Sequence, residues 1–518
     1  MDRLKRFFIN GLMMTAVTLA IRYVSVAFNI YLTNRIGTVA MGLFTLISSV
    51  YGFALTLATS GISLATTKLV SEALGGSSES EKDSNVRAIM KKSLAFSFFV
   101  SLVVSILLYL LAPTISENIL KDSRTLTSLK VLAFSLVPIA LSSSMSGYFI
   151  AMRKVYKNAA VQVFGQATKI FLSIYLLGAF FATDIESACL SIIIAGTLAE
   201  ILSFLIHLLS YIIDIRKYNN INKKIKKDDL LAKKLIPITL PIAFSAYVRS
   251  ALVTVEHLLI PWGLERSGSA RDASLSAYGT VHSIVFPLVL FPSAISSSFA
   301  GLLVPEISES AARKDFDRIE RIICKVLKTV LIYSIGVAGV MMCLSDEFGN
   351  VFFTDNDAVK YILLVSPLIP VMYLDTSVDS ILKGLGHQFY CMVINIVDSM
   401  LSVILVWILL PQYGIMGYII TVYFTELINA TLSITKLLCV TKVKFKLFNW
   451  LAKPILAIIA STTAFCLILN KFNVFAQSKT EIIFHIIIVS VVYLLILILI
   501  RAISAKKIKK SVKNFFKA

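Results

Sequence analysis

Long hydrophilic stretches are scarce in this chain of 518 residues. Only 15% of its residues are charged, whereas 57% are hydrophobic, and the mean hydropathy is +0.82. Segment 482–500 is typical, because only His485, Ser490 and Tyr493 interrupt its apolar run. A helix of this length crosses a hydrocarbon core of about 30 Å, and a segment in lipid must be helical to satisfy its own backbone groups. The composition therefore excludes a large soluble domain and predicts a protein that works inside a membrane.

The sequence signatures of common enzyme classes are also absent. H-E-x-x-H, G-x-S-x-G and the phosphate-binding P-loop do not occur. The six cysteines include no C-x-x-C pair and lie far apart along the chain. We interpret them as small buried apolar residues, not as a disulfide framework or a metal site. These absences predict a protein that is not an enzyme.

What is present is a series of apolar segments that fills the chain from end to end. We predict an all-α polytopic membrane protein with about 14 transmembrane helices, numbered here as predicted spans 1 to 14. They lie at residues 7–33, 42–73, 92–112, 125–151, 158–181, 187–213, 235–262, 273–303, 322–345, 358–382, 388–410, 414–435, 454–470 and 481–500.

The positive charge of the chain follows its predicted topology. The net charge is +20, and lysine and arginine concentrate in the N-terminus, in every second loop and in the C-terminal tail. This bias predicts that both termini and the basic loops face the cytoplasm of a bacterial plasma membrane. We expect the basic segments 216–234 and 501–517 to contact anionic lipid headgroups. Charge that follows topology in this way argues against a nucleic-acid partner.

The domain organisation follows from the longest hydrophilic connection and a weak internal repeat. Segment 147–156 and the helix after it resemble segment 379–388 and the helix after that, at an offset of about 232 residues. An offset of six helices preserves orientation, as in parallel repeats of transporters. We predict two pseudo-symmetric six-helix lobes, at 1–213 and 235–438, joined by a basic cytoplasmic linker at 214–234. Spans 13 and 14 and the basic tail, at 439–518, would be appended.

Several charged residues lie at membrane depth. A charge near the bilayer centre costs at least about 2.5–3.5 kcal/mol, so such a residue tends to face a wet cavity or a partner. Arg22 lies roughly 24 Å along the helix from Arg6, and Arg249 is central in span 7. Lys68 is nearer the cytoplasmic end of span 2, where its side chain can also snorkel. His282 lies in the proline-broken span 8, which we expect to line the same cavity. We interpret these residues as a cationic substrate site.

The second lobe carries acids and amides instead. Asp375 and Asp379 share a face of span 10, Asp398 and Asn395 are one turn apart in span 11, and Glu426 is central in span 12. These hard oxygen ligands suit a coupling Na⁺ or H⁺.

An alternative interpretation of the charges in both lobes is a set of structural ion pairs. Arg22 with Glu200 and Arg249 with Glu256 are the pairs that the predicted spans would allow.

Four segments resemble a known family. They are 60–72 (SGISLATTKLVSE), 255–261 (VEHLLIP), 278–292 (YGTVHSIVFPLVLFP) with 303–309 (LVPEISE), and 373–386 (YLDTSVDSILKGLG). Together they are similar to the polysaccharide flippases of the stage V sporulation protein B family, within the multidrug/oligosaccharidyl-lipid/polysaccharide exporter superfamily. The resemblance covers nearly the whole chain. It implies two six-helix lobes and two extra helices around a central cavity.

The resemblance also implies roles for particular residues. In lipid II flippases of this superfamily, span 1 carries two cavity arginines. Segment 22–28 (RYVSVAF) resembles that pattern with Arg22 retained, but Phe28, followed by Asn29, stands at the second position. The sodium site of those flippases resembles Asn395 and Asp398, although the spacing here is three residues instead of four. The implied metal is therefore Na⁺ at these two residues, on a site that departs from the pattern.

Together, these features predict a monomeric flippase that moves a polyprenyl-diphosphate-linked sugar, such as a peptidoglycan precursor, by alternating access, with sporulation as one setting. One alternative is a cation-coupled multidrug exporter of the same fold. A membrane glycosyltransferase or polymerase is a further alternative, but it would need catalytic residues on outward loops, and these are short. The sequence identifies neither the glycan nor the coupling ion.

Overall fold

The computed structural model describes residues 2–74, 79–179, 184–216, 230–313, 315–352, 356–441, 448–472, 478–500 and 502. Every regular element in these ranges is helical. The α-helices are α1 (Asp2–Thr59), α2 (Ile62–Leu74), α3 (Glu79–Thr114), α4 (Leu126–Ala133), α5 (Leu136–Ala151), α6 (Val155–Ala179), α7 (Ile185–Arg216), α8 (Leu230–Arg266), α9 (Arg271–Gly279), α10 (Phe286–Leu290), α11 (Ser293–Ala312), α12 (Phe316–Cys343), α13 (Ser345–Phe352), α14 (Asn356–Val365), α15 (Ile369–Gly384), α16 (Gln388–Tyr413), α17 (Ile415–Val440), α18 (Lys453–Phe472) and α19 (Lys479–Leu499). Short π or 3₁₀ turns lie at Ile115–Ile119, Ser123–Thr125, Thr280–Val285, Ser366–Leu368 and Phe448–Ala452. The prediction of an all-α polytopic membrane protein is confirmed.

Twelve helical segments within the described ranges are long and apolar enough to cross a membrane, and a bent pair of helices raises this number to 13. The first segment, Val17–Leu74, covers predicted span 2 and most of predicted span 1. Inside it, Gly37 has φ 83° and ψ 166°, a backbone conformation open mainly to glycine, so the helix breaks there. The bent pair, Ser123–Ala133 and Leu136–Ala151, falls on predicted span 4. The exact count of 14 stays a prediction.

The described chain divides into two compact units. The first unit comprises Met1–Phe28, Arg35–Gly279 and Val406–Pro411, and the second comprises Asn29–Asn34, Thr280–Leu405 and Gln412–Ala518. This division reflects contact density, whereas the predicted lobes reflect internal repetition. The lobe boundaries therefore stay a prediction, and most of the predicted linker, 217–229, lies outside the described residues.

The core of the first unit contains a buried polar ladder between helices. Ser144 of α5 bonds to Ser97 of α3 at 2.6 Å, and Thr66 of α2 bonds to Ser93 of α3. Large apolar side chains surround these hydroxyls, including the fully buried Tyr148. Because hydroxyls in an apolar interior must find partners, this ladder fixes the relative positions of α2, α3 and α5.

Helix α12 organises part of the second unit by packing closely against α18 and α19. Gly336 faces the ring of Tyr493, whose hydroxyl donates to the Ile332 carbonyl at 2.8 Å. One turn further along α12, the open face of Gly339 is filled by the side chain of Ile458. Small residues allow such close approach, which is how helices associate in lipid, where no hydrophobic effect drives them together.

This packing predicts that Gly339→Ala destabilises the protein. The new methyl group would overlap Ile458 and force α18 to shift, at a cost of about 1–3 kcal/mol. Thermal melting of the purified protein in detergent measures the effect. Gly52→Ala is the matched control, because nothing lies within 4 Å of the added methyl group there. Equal melting temperatures for the two variants would contradict the packing of α12 on α18.

Candidate functional site

The predicted cationic residues Arg22, Arg249 and Lys68 all lie in the first unit, and all three side chains are exposed. None of them has an acidic group within 4.0 Å among the described residues. The alternative structural ion pairs, Arg22 with Glu200 and Arg249 with Glu256, are therefore not formed. Two guanidiniums at membrane depth without a carboxylate partner are expected to attract an anion.

A contact between α1 and α6 extends the polar surface around Arg22. Gln166 Nε2 donates to Ser25 Oγ at 3.1 Å, and Ser25 lies one turn from Arg22 on α1. Lys169 lies one turn beyond Gln166 on α6 and is half-buried. The two helices thus present an arginine, a hydroxyl, an amide and an ammonium along their contact.

Lys169 is a candidate site residue that we did not single out from the sequence. Its Cε lies 3.9 Å from the place that a Cβ of Gly196 would occupy, and it interacts electrostatically with Glu200, one turn further along α7. Its signal in the sequence is a lysine in the middle of an apolar run, on the same helical face as Gln162 and Gln166.

Helix α8 is joined to α1 by a series of hydrogen bonds near Arg249. The hydroxyl of Ser250, the neighbour of Arg249, donates to Thr56 Oγ1 at 3.1 Å. The same helices are bridged by Tyr247 to the Leu57 carbonyl at 3.3 Å and by Thr254 to the Ser49 carbonyl at 3.1 Å. The backbone position of Arg249 is therefore fixed relative to α1, although its side chain stays exposed.

At the end of the first unit that is predicted to face outward, α1 and α9 approach so closely that only glycine fits. A Cβ at Gly42 would meet the Leu275 carbonyl, and one at Gly279 would meet the Thr38 carbonyl. Thr38 and Ser276 hydroxyls are 2.6 Å apart across the same contact. This end of the α1–α9 contact is closed.

An ion-pair network lies in the loops at this predicted outer end. Arg124 binds Asp122 through two hydrogen bonds, at 2.9 and 2.7 Å, and reaches Asp272 at 3.2 Å. Arg271 binds Glu265 and donates to the Leu120 carbonyl at 2.6 Å. Asp122 is buried against Arg124, whereas Asp272 is 62% exposed. The network connects the segment before α4 to the segment around α9.

The predicted acidic residues come together in the second unit. Asp375 Oδ2 accepts from Asn429 Nδ2 at 3.2 Å, while Asp375 Oδ1 has no hydrogen-bond partner among the described residues. Asp398 and Glu426 lie close enough to Asp375 for mutual electrostatic repulsion. Three carboxyl groups in one neighbourhood favour capture of a proton or cation.

Two of the predicted coupling residues have local partners instead. Asp379 binds Lys383 at 2.5 Å within α15, and Asn395 Nδ2 donates to the Cys391 carbonyl at 2.8 Å within α16. The described part of the chain has no group of three or more His, Cys, Asp or Glu residues placed to hold a metal ion. A sodium site at Asn395 and Asp398 would therefore need amide, hydroxyl or carbonyl oxygens to complete it.

The remaining predicted residues, His282 and Asn29, both belong to the second unit. His282 belongs to the second unit, in the π-helical turn Thr280–Val285, with the rings of Phe286 and Tyr418 each 5.3 Å away. Asn29 is grouped with the second unit, and its carbonyl accepts a hydrogen bond from Thr33 at 2.9 Å.

The described chain is a multi-pass helical protein with exposed arginines in one unit and neighbouring carboxylates in the other, and the comparisons with known proteins place it among membrane transporters, not enzymes. The profile of the family described as "Polysaccharide biosynthesis protein" matches residues 8–311, more than half of the chain, and the MatE profile matches residues 267–408. The chain belongs to the polysaccharide biosynthesis protein family.

Relatives and solved structures agree with this assignment. The chain is 26% identical over 421 residues to Stage V sporulation protein B of Bacillus subtilis (strain 168), covering 80% of each chain. It is 23% identical to the Lipid II flippase MurJ of the same organism, over 76% of this chain and 75% of that protein. A structure of lipid II flippase MurJ in an inward closed conformation matches 94% of this chain and 98% of that chain, with a TM-score of 0.70 and 15% identity. An inward-facing multidrug resistance MATE family transporter of the MOP superfamily matches 82% of this chain and 96% of that chain, with a TM-score of 0.64 and 12% identity. The predicted membership of the exporter superfamily is confirmed.

The ion-pair network predicts that Asp122→Asn destabilises the protein. Removing a buried carboxylate leaves Arg124 without its closest charge partner, which costs about 1–3 kcal/mol. Asp272→Asn is the matched control, and we expect a loss of at most about 1 kcal/mol because Asp272 is solvent-exposed. Thermal melting of the two purified variants measures the difference, and an equal effect would show that the network is not organised around Asp122.

Proposed function

We propose that this protein is a flippase that moves a polyprenyl-diphosphate-linked sugar across the bacterial plasma membrane by alternating access. The observation that carries the proposal is the pair Arg22 and Arg249 in the first unit, exposed and without an acidic partner among the described residues. The relatives named Stage V sporulation protein B and Lipid II flippase support a peptidoglycan precursor as the substrate and sporulation as one setting.

The chemistry of these residues suits a diphosphate. A guanidinium presents a planar fork of donors that holds phosphate oxygens in pairs, and each charge-assisted bond is stronger in a partly desolvated site than in water. Lys169 adds a point charge near the same helix contact, with Glu200 as its neighbour in the absence of substrate. Phe28 replaces a second arginine on α1, so the anion would depend on Arg249 and Lys169 as well as on Arg22.

Alternating access would use the closed contact at the predicted outer end. In the present structure α1 and α9 meet there through Gly42 and Gly279 without space for a side chain. The diphosphate headgroup would enter from the cytoplasmic side, with its lipid tail in the bilayer. Separation of α1 from α9 and breakage of the Arg124–Asp272 contact would then open the outer side.

The acidic cluster of the second unit suits coupling. Asp375, Asp398 and Glu426 repel one another when all are ionised, so binding of H⁺ or Na⁺ relieves that repulsion. An alternative source of energy is the membrane potential, worth about 2.3 kcal/mol per charge per 100 mV. We further propose that the protein is a monomer, with both termini in the cytoplasm and its basic segments on anionic lipid.

A second candidate function is cation-coupled multidrug export. The MatE profile match at residues 267–408 and the structural likeness to MATE transporters favour it. Such an exporter, however, is expected to have an aromatic and less cationic site, whereas Arg22, Arg249 and Lys169 make the first unit cationic.

The proposal predicts that Arg22→Ala abolishes most flipping of a diphosphate-linked lipid. Loss of a charge-assisted bond of roughly 1.5–3 kcal/mol lowers the rate by about 10- to 150-fold. Arg22→Lys should rescue only part of the rate, because an ammonium cannot hold the diphosphate in two places. The assay follows accessibility of the labelled lipid-linked sugar on the outer leaflet of proteoliposomes.

Membrane insertion and expression must match across this series. Arg318→Ala is the control, since Arg318 is exposed at the start of α12 and pairs with Glu306. Lys169→Met tests the added cation and should lower the rate in the same direction as Arg22→Ala. If Arg22→Ala flips at the wild-type rate, the diphosphate site is wrong and the multidrug exporter gains support.

The coupling hypothesis predicts that Asp398→Asn impairs gradient-driven transport more than it impairs stability. Neutralising one member of the acidic cluster removes a group that must bind and release the coupling ion. Transport in proteoliposomes under an imposed Na⁺ or H⁺ gradient, beside thermal melting, measures both effects. Asp317→Asn, at an exposed position in the first turn of α12, is the control. Unchanged gradient dependence in Asp398→Asn would make Asp398 a structural residue.

A further inference from the structure

Two cysteines that lie far apart in sequence meet in the second unit. Cys343 is the last residue of α12, and Cys466 lies near the end of α18. Their sulfur atoms are 3.4 Å apart, and both thiols are free. We predicted only small buried apolar roles for the cysteines, and the sequence separation of 123 residues gives no sign of this pair.

The surroundings of the pair place the thiols in a fixed position. One turn before Cys343, Gly339 packs directly on Ile458, which holds the backbones of α12 and α18 close together. His485 of α19 binds Glu347 of α13 at 2.9 Å. The His485 ring also packs edge-on against Phe465, the sequence neighbour of Cys466, at 5.1 Å. Contacts near the pair thus connect α12 with α18, and α19 with α13 and α18.

The location of the pair favours oxidation. Both cysteines lie at the ends of α12 and α18 that are predicted to face outward, away from the reducing cytoplasm. Both side chains are partly exposed. A disulfide has a sulfur separation of about 2.05 Å, so bond formation requires the two side chains to rotate until the present gap of 3.4 Å closes.

We propose that Cys343 and Cys466 form a disulfide bond by exchange with an extracytoplasmic disulfide oxidant, and that this bond ties α18 to α12. One cysteine attacks a sulfur of the oxidant's disulfide, giving a mixed disulfide and releasing one thiol of the oxidant. The second cysteine then displaces the other thiol, and the two cysteine protons pass to the two released sulfurs. The two cysteines are oxidised, and the oxidant's disulfide is reduced to two thiols.

The bond would have a defined consequence for the fold. Helices α18 and α19 correspond to the two spans that we predicted as appended to the second lobe. Their contacts with α12 are side-chain packing and single hydrogen bonds, such as Tyr493 to Ile332 and Lys328 Nζ to the Ala502 carbonyl at 2.7 Å. A covalent link at the outer end would keep α18 in place when the rest of the unit moves, whatever the substrate is.

The test detects the link directly in cells and in the purified chain. Free thiols are blocked with N-ethylmaleimide in intact cells, and the full-length protein is then digested without reductant and examined by mass spectrometry. In parallel, purified protein in lipid nanodiscs is reduced and then treated with oxidised glutathione. We expect a peptide pair joined through Cys343 and Cys466 in both samples, and a higher melting temperature for oxidised than for reduced protein.

Variants separate this bond from other cysteine chemistry. Cys466→Ser and Cys343→Ser should each abolish the linked peptide and the redox-dependent melting shift. Cys439→Ser should keep both, because Cys439 is exposed on α17 and takes no part in the pair. If a serine variant fails to fold, the peptide map of the wild-type protein still tests for the bond, because it needs no variant. The proposal would be overturned if both Cys343 and Cys466 carried N-ethylmaleimide in cells. It would also be overturned if the linked peptide formed only after oxidised glutathione was added.

Discussion

The cost of placing an unsatisfied polar group in hydrocarbon is the constraint on which the rest of this structure depends. It makes every described regular element helical, because a helix satisfies its own backbone groups. It also means that a polar side chain at membrane depth needs a hydrogen-bond partner, a counter-ion or a ligand. In the interior of the first unit, serine and threonine hydroxyls pair across α2, α3 and α5. Where charged groups lack such partners, as at Arg22 and Arg249, the same cost points to a ligand.

The closed contact between α1 and α9 shows how small residues allow two helices to pack closely and still separate. Gly42 and Gly279 allow two backbones to touch, and a contact without interlocking side chains can separate without large rearrangement. The contacts of Arg124 with Asp272 and of Arg271 with Glu265 lie near the same predicted outer end and are partly exposed. Such pairs contribute modestly to stability, so breaking them during transport would cost little. The α1–α9 contact and these ion pairs therefore stabilise the closed outer end, but only by an amount that a conformational change could overcome.

The two units divide the chemistry between them. The first unit has Arg22, Arg249 and Lys169, which suit an anionic headgroup, and the second has Asp375, Asp398 and Glu426, which suit a proton or a cation. Helix α12 adds a separate function in the second unit, because it is the surface on which α18 and α19 pack. A bond between the thiols of Cys343 and Cys466 would strengthen this packing, and this proposal does not depend on the identity of the substrate.

The sequence by itself determined the class of protein. Long apolar runs and the distribution of basic residues predict a polytopic helical membrane protein, and motifs such as 278–292 indicate the exporter superfamily. It also singled out Arg22, Asp375 and Asp398, because a charge in an apolar run is visible without any structure. Only the tertiary structure decided which of these charges meet. It brought Asp375 to Asn429, left Arg22 without Glu200, and placed Glu200 beside Lys169. Partners on different helices depend on how those helices pack, and Cys343 and Cys466 show this most clearly, since no local pattern relates two residues separated by 123 positions.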